Sequence, residues 1–394
     1  MSELDKRLVS VMPSPRQLAL QRMEMYAFWH FSVNTFTGRE WGDGTESPAV
    51  FNPARFDPRQ WAKAVKAAGM TGAILTCKHH DGFCLWPSAY TEHSVKNSPC
   101  KKDIVKEAAD ACRRAGLKFG FYLSPWDRHE ASYGTDAYND YYCNQLTELL
   151  TNYGPIGAIW FDGYWDHKDD KVPFDWQLPE QYALIHKLQP SCLVANNHHV
   201  TPHPGEDIQI FERDLPGQNL HGLSGQEVSR LPLETCTTMN GMWGYKILDQ
   251  NYKPTPELIE LLVNARGKGA NLLLNIGPQP NGELPAASLT RLKEIGEWMK
   301  VNGETIYGVT AGDFPEQSWG TSTRKGDKLY VHVFRPEGNE LVIPVTGKVK
   351  KAVGFADKQP LKFKKIKEGG ISLTLPKIPE GTIDYIIELE TASK

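Results

Sequence analysis

Short apolar runs alternate with longer amphipathic stretches through most of this chain. Asp57 is placed to cap a helix over about Gln60–Ala68, stopped by Gly69. The apolar run Thr71–Cys77 follows, short enough for a buried strand. Asp103 opens a second helix, Ile104–Ala115, closed by Gly116, and Lys118–Leu123 reads as the next strand. The rhythm continues with a helix over about Tyr138–Asn152 and a strand Ile156–Phe161. Helix Pro179–Leu188 leads into strand Cys192–Ala195, and helix Pro256–Lys268 into strand Ala270–Asn275. A last helix, about Ala287–Asn302, has no strand directly behind it. Helices alternating with short apolar strands imply βα units on a parallel sheet. Their number and span predict an α/β fold, a TIM-like (β/α) barrel. No glycine-rich phosphate turn follows the first strand, so a doubly wound dinucleotide fold is the weaker choice.

Beyond about residue 308 the period changes from helical to alternating. Strands are predicted at Lys328–Phe334, Glu340–Val345, Gly370–Leu375 and Ile383–Leu389, with turn residues between them. This predicts a C-terminal antiparallel β-sandwich domain at 309–394 behind a barrel domain at 1–308.

The chain has 394 residues and a formal net charge of −3, with no basic run longer than two. Neither nucleic acid nor an anionic membrane surface is expected as a partner. A homo-oligomer is left open. No apolar stretch is long enough to span a bilayer. The charged start, Met1 to Arg7, leads into no apolar signal core. The expectation is a cytoplasmic protein as written, or a secreted or periplasmic one whose leader was removed. Seven cysteines with no C-x-x-C pair argue against a disulfide framework and a structural zinc site. The unusual feature is 11 Trp and 12 His, several in the loops behind the strands. Aromatic faces in a concave site hold the apolar side of a sugar ring, although Trp also fills cores.

Barrel enzymes carry their working residues where strands end, at the C-terminal face. Behind Thr71–Cys77 comes Lys78-His79-His80-Asp81-Gly82-Phe83. The adjacent histidines lack the H-x-H spacing that would put two strand ligands on one face. They are read as hydrogen-bonding residues rather than metal ligands, with satisfied structural histidines as the alternative. Behind Ile159-Trp160-Phe161 comes Asp162-Gly163, a carboxylate at the barrel mouth. The plain alternative is a helix cap, but the next predicted helix begins near residue 179. Behind Cys192–Ala195 comes Asn196-Asn197-His198-His199, then Glu206, Asp207, Glu212 and Arg213. Two carboxylates from different strands suit a retaining glycosidase. One attacks the anomeric carbon while the other donates a proton to the leaving oxygen.

At this point the sequence resembles glycoside hydrolase family 29, the α-L-fucosidases, from about Tyr26 into the C-terminal domain. The motifs are Phe28-Trp29-His30-Phe31, Glu40-Trp41-Gly42, Lys78 to Trp86, and Ile159 to Gly163. Further along they are Pro232 to Cys236, Trp243-Gly244-Tyr245, and Asn271 to Pro278. The resemblance implies an exo-acting, retaining α-L-fucosidase that uses no cofactor and no metal. A fucosylated oligosaccharide or glycoconjugate is the implied substrate. It implies that Asp162 is the nucleophile, and that His30, His79 and His80 bind fucose hydroxyls. Glu40, Trp41 and Trp160 complete the implied sugar pocket, with Trp243 near the C5 methyl group. An aromatic wall there suits a 6-deoxy sugar, because an added hydroxyl would be poorly solvated against it. For the acid/base, Glu206, Glu212, Glu227 and Glu234 compete, and Glu212 is chosen. It falls in the loop after the strand following Asp162, where the family's acid/base usually lies. Glu234 is read as structural or as a supporting partner. One departure concerns an arginine that some members carry where this chain has Asn196-Asn197-His198. Either His198 or Asn197 serves there or nothing does, and His198 is counted among the substrate-binding residues. Two other readings compete: a carbohydrate-binding protein that has lost catalysis, and a metal-dependent barrel hydrolase using His79, His80 and Asp162.

Overall fold

The computed structural model describes residues 14–164, 174–367 and 369–392. The opening segment from Met1 to Arg7 lies outside the described residues. Eight parallel strands form the barrel: β1 (Met25–Trp29), β2 (Gly72–Lys78), β3 (Lys118–Leu123), β4 (Ala158–Asp162), β5 (Leu193–Asn197), β6 (Gln209–Glu212), β7 (Leu233–Thr238) and β8 (Ala270–Asn275). β1 lies between β2 and β8, and the ladder runs outward to β5 on one side and β6 on the other. The seam closes through one parallel bridge, Ala195 with Ile208. Asp207 fastens it: its amide donates to the Val194 carbonyl (2.8 Å), and its carboxylate accepts from Val194 N (3.1 Å) and Arg16 Nε (2.7 Å).

Helices Pro58–Ala67, Ile104–Ala115, Asp136–Asn152, Leu178–Leu188, Thr255–Gly267 and Ala286–Asn302 cover the barrel. Asp57 and Asp103 cap the first two through their side chains, and Gly116 ends the second in the left-handed region (φ 69°). No helix is described between β5 and β6 or between β6 and β7. Polar loops stand there, and they shape the barrel mouth.

Side chains alternate in and out along each strand. Met25, Ala27 and Trp29 join the layer under the helices, while Tyr26 and Phe28 join the barrel interior. The same parity sends Ala158 and Trp160 inward on β4, Leu193 and Ala195 on β5, and Ile208 and Ile210 at β6. Continued one step further, it points Asp162, Asn197 and Glu212 into the mouth.

The interior also holds a buried polar node. Glu234 on β7 is fully buried and accepts from Trp160 Nε1 (2.8 Å) and from the Tyr26 hydroxyl. Burial pushes its carboxyl up to about 7, from an ordinary 4.5. The folded state therefore holds a proton that the unfolded chain releases between about pH 4.5 and 7. Stability falls as pH rises through that window, by on the order of 3 kcal/mol if this group acted alone. Glu234→Gln keeps an acceptor for Trp160 and cannot ionise. Its Tm is expected to decline less than the wild type's between those pH values, which thermal melts across the range would check.

Beyond the barrel, β9 (Thr310–Ala311), β10 (Gly320–Lys325), β11 (Lys328–Val333), β13 (Val349–Gly354) and β16 (Tyr385–Thr391) form an antiparallel sheet. A second sheet joins β12 (Glu340–Ile343), β15 (Ile371–Thr374) and β14 (Phe363–Lys365). Leu329, Val331, Ile387 and Leu389 from the first share a core with Leu341, Ile343, Ile371 and Leu373 from the second. The two bodies are tied by Arg266 donating to Val309 O (2.9 Å) and by Glu24 accepting from Gly308 N (2.8 Å). The α/β barrel and the antiparallel C-terminal domain are both present. β1, β6, β7, β9, β10, β13 and β14 are additional to the strands expected from sequence. Among the described residues no helix is long and apolar enough to cross a membrane.

Candidate active site

A cavity of about 560 Å³ opens at the C-terminal ends of the barrel strands. Phe28, His30, Glu40, Trp41, His79, His80, Trp160, Asp162, Asn197, His198, His199, Val200, Glu212, Arg213, Leu223 and Trp243 line it. All ten residues expected from sequence are among them. The size lies within the ordinary range for small-molecule sites.

Asp162 ends β4. Gly163 behind it turns sharply at φ 98°, where a Cβ would come within 2.7 Å of Trp126 Cβ. Only glycine allows the chain to leave the strand there. The Asp162 carboxylate accepts from Tyr122 Oη (3.0 Å at Oδ2) and Asn197 Nδ2 (3.2 Å at Oδ1). The Gly163 amide also donates to it, and His80 Nε2 lies 3.7 Å from Oδ2.

Glu212 is the last residue of β6, not part of a loop behind β5 as the sequence implied. It takes the other hydrogen of the same amide, Asn197 Nδ2 to Oε2 at 2.8 Å, and His199 Nε2 lies 3.6 Å away. The two amide contacts cap the Oδ1–Oε2 separation at about 6 Å. Burial, then the neighbouring Glu212 charge, pushes the Asp162 carboxyl well above its usual range.

The competing glutamates are otherwise engaged. Glu206 accepts from His198 Nε2 (3.0 Å), Tyr182 Oη (2.9 Å) and His203 N (3.1 Å). Glu234 lies beneath Trp160, as described above. His198 departs from the expectation of substrate binding. Its Nε2 is held by Glu206 and its Nδ1 accepts from Val200 N (3.2 Å), so neither ring nitrogen is left for a ligand. Asn197, weighed in the sequence only as a stand-in for arginine, contacts both carboxylates. Its signal was parity, since 193, 195 and 197 share a face. Phe28, His199, Val200, Arg213 and Leu223 also line the cavity without having been singled out.

Hydrogen-bond partners settle two tautomers. Asn275 Nδ2 donates to Trp243 O (2.7 Å), so its Oδ1 faces His30 Nδ1 at 2.8 Å. Nδ1 therefore carries the hydrogen and Nε2 the lone pair. Burial holds His30 well below the usual imidazole range, and it drives His79 down to about 3. The Ser124 hydroxyl donates to Trp126 O (2.7 Å), so His80 Nδ1 donates to Ser124 Oγ (2.6 Å). The adjacent histidines reach one cavity because the β2 ladder is irregular between Thr76 and Lys78. Lys78 anchors that bend from behind, paired with Asp127 (3.0 Å) and Gln145 (2.9 Å) in the interior.

Trp243 forms a fixed wall. Its amide donates to Glu40 (2.9 Å), and the Arg213 guanidinium lies 5.2 Å from its ring centre. Burial raises Glu40, and the Trp243 amide opposes that shift. Phe28 meets both Trp160 and Trp243 edge-on, at 5.1 and 6.2 Å between centroids. The cavity thus joins a carboxylate pair, neutral imidazoles and an aromatic floor. No cluster of three metal-ligating side chains occurs among the described residues.

A family model described as alpha-L-fucosidase matches residues 19–304. Alpha-L-fucosidase 1 of Arabidopsis thaliana is 35% identical over 311 residues, covering 73% of this chain and 60% of the relative. The chain thus spans somewhat over half the length of that plant protein. Among solved structures, alpha-L-fucosidase isoenzyme 1 from Paenibacillus thiaminolyticus superposes with a TM-score of 0.83 at 32% identity, covering 96% and 99% of the two chains. A trapped covalent intermediate of a Bacteroides thetaiotaomicron GH29 alpha-L-fucosidase, obtained with 2-fluoro-fucosyl fluoride, gives 0.82 at 26% identity, covering 97% of each.

Proposed function

The chain belongs to the α-L-fucosidase family, and on that premise we propose that it is an exo-acting retaining α-L-fucosidase. Asp162 is the nucleophile and Glu212 the acid/base. The observation that carries this reading is the single amide bridging the two carboxylates. The facing oxygens Oδ1 and Oε2 lie at most about 6 Å apart, which favours the close pair of a retaining site over the roughly 6.5–9.5 Å between carboxyl groups of an inverting one.

The donor sets divide the roles. Tyr122, Asn197 and the Gly163 amide converge on Asp162 and favour its anion. Glu212 takes the acid/base role. In the first step the Asp162 carboxylate attacks C1 of an α-L-fucoside, and the C1–O bond breaks. Glu212 gives its proton to the departing oxygen, leaving a β-linked fucosyl ester and a Glu212 carboxylate. In the second step Glu212 takes a proton from water as that water attacks C1. The ester opens, Asp162 is an anion again, and fucose leaves with its original α configuration.

The rest of the cavity suits a terminal 6-deoxy sugar. His30 Nε2 accepts from a sugar hydroxyl, and His79 and His80 contribute further polar contacts. Phe28, Trp160 and Trp243 offer apolar faces to the ring and its methyl group. The buried floor admits a chain end and stops a longer glycan from passing through.

The test is the stereochemistry of the first product. Proton NMR of an aryl α-L-fucoside digest is expected to record α-L-fucose before mutarotation. If β-L-fucose comes first, the enzyme inverts and the double displacement is wrong.

A further inference from the structure

We propose that Asn197 is the positioning residue of the carboxylate pair, its neutral amide setting their spacing by donating one hydrogen to each. The inference rests on the fucosidase reading above and concerns how that site is held. Asn197 ends β5, the strand between the two that carry the acids, and it is in register with Asp162 on β4. Its Nδ2 has two hydrogens and two carboxylate oxygens within reach, at 3.2 and 2.8 Å. A flipped amide would turn its carbonyl on both anions, so the orientation follows from the network. The Oδ1 atom is buried and has no hydrogen-bond partner among the described residues. The two carboxylates orient the side chain.

The neutrality of the amide matters. A donor to a carboxylate favours the anion and lowers its pKa, and a full positive charge does so much more strongly. A guanidinium in this place would stabilise both anions more strongly than an amide does. An amide constrains both groups without adding a charge.

The other groups around the pair do not duplicate this. Tyr122 from β3 and His80 from behind β2 face Asp162 alone. His199 faces Glu212 alone. Cys236 from β7 is buried, and burial holds its thiol protonated. Arg213 follows Glu212 but turns over Trp243 and donates to Gly241 O (2.9 Å). His30 and His79 are held neutral by burial.

The experiment is the pH profile of kcat/KM on an aryl α-L-fucoside for wild type, Asn197→Leu and Asn197→Asp. Asn197→Leu removes a donor that stabilises both anions, so both limbs of the bell are expected to move to higher pH. Turnover at the optimum is expected to fall about 10–100-fold with KM little changed, the usual effect of losing a supporting partner. Asn197→Asp keeps the side-chain shape and adds a third carboxyl. It is expected to move the limbs at least as far, and it serves if the leucine variant does not fold. A merely structural role predicts lower activity with the bell in place. Unmoved limbs in an active enzyme overturn the inference and leave the fucosidase reading intact. A wild type that cleaves no α-L-fucoside overturns both.

Discussion

Asp162→Gly is expected to abolish nearly all turnover of an α-L-fucoside and to recover part of it in azide. Loss of a nucleophile typically costs on the order of 10⁴–10⁶ in kcat. The cavity left by the carboxylate is not a neutral hole. Tyr122 Oη, Asn197 Nδ2 and the Gly163 amide still point at the place where the oxygens stood. Three convergent donors form a seat for a small anion. Azide bound there attacks C1 from the face that Asp162 uses, while Glu212 still protonates the leaving group. No second displacement follows, so the product is β-L-fucosyl azide, inverted relative to the substrate. Rescue should rise with azide concentration, and chromatography of the product would identify the azide. Full activity in the variant without azide would mean that the nucleophile is another residue.

Glu212→Ala is expected to divide substrates by their leaving groups. An alkoxide from a natural glycan is a poor leaving group and needs its proton in the first step. A nitrophenolate departs unaided. General acid assistance is worth about 10²–10⁴ in rate. The variant should lose that on a fucosylated oligosaccharide and much less on the first step with an activated aryl fucoside. Deglycosylation still needs a base, so the aryl substrate should give a burst of phenolate followed by slow turnover. Glu206→Gln and Glu234→Gln are the controls. Their carboxylates hold His198, Tyr182, Trp160 and Tyr26 and leave the cavity chemistry alone. A leaving-group split in either one, and none in Glu212→Ala, would move the acid to that glutamate.

Some elements were legible in the sequence because local physics decides them. Asp57 and Asp103 cap their helices, and Gly116 ends one. The runs 72–77, 119–123 and 270–275 are buried throughout and so read as largely apolar strands. β7 was not legible because its sequence, Leu-Glu-Thr-Cys-Thr-Thr, is polar. It is a strand because Glu234 finds Trp160 and Tyr26 inside the barrel, partners contributed by distant segments. β6 has only four residues and no helix before it. Reading its end as a loop places Glu212 behind β5, whereas it closes β6.

The site followed the same division. The residue types at the strand ends were readable from position alone, and all ten expected residues line one cavity. Their pairings were not readable. His198 and Asn197 are adjacent, and which one meets Asp162 depends on strand parity. That parity sends Asn197 inward, while His198 turns to Glu206. The separation of Glu212 from Glu206 and Glu234 likewise rests on which donors surround each carboxylate, a three-dimensional property.

The proposed double displacement turns on a covalent bond between Asp162 and the anomeric carbon of fucose. Incubation with 2-deoxy-2-fluoro-α-L-fucosyl fluoride, followed by intact mass measurement and peptide mapping, tests it directly. One 2-fluorofucosyl group per chain is expected, on the peptide that carries Asp162, and none in Asp162→Gly. A label on Glu212 or any other side chain, or an active enzyme that never acquires one, would contradict it.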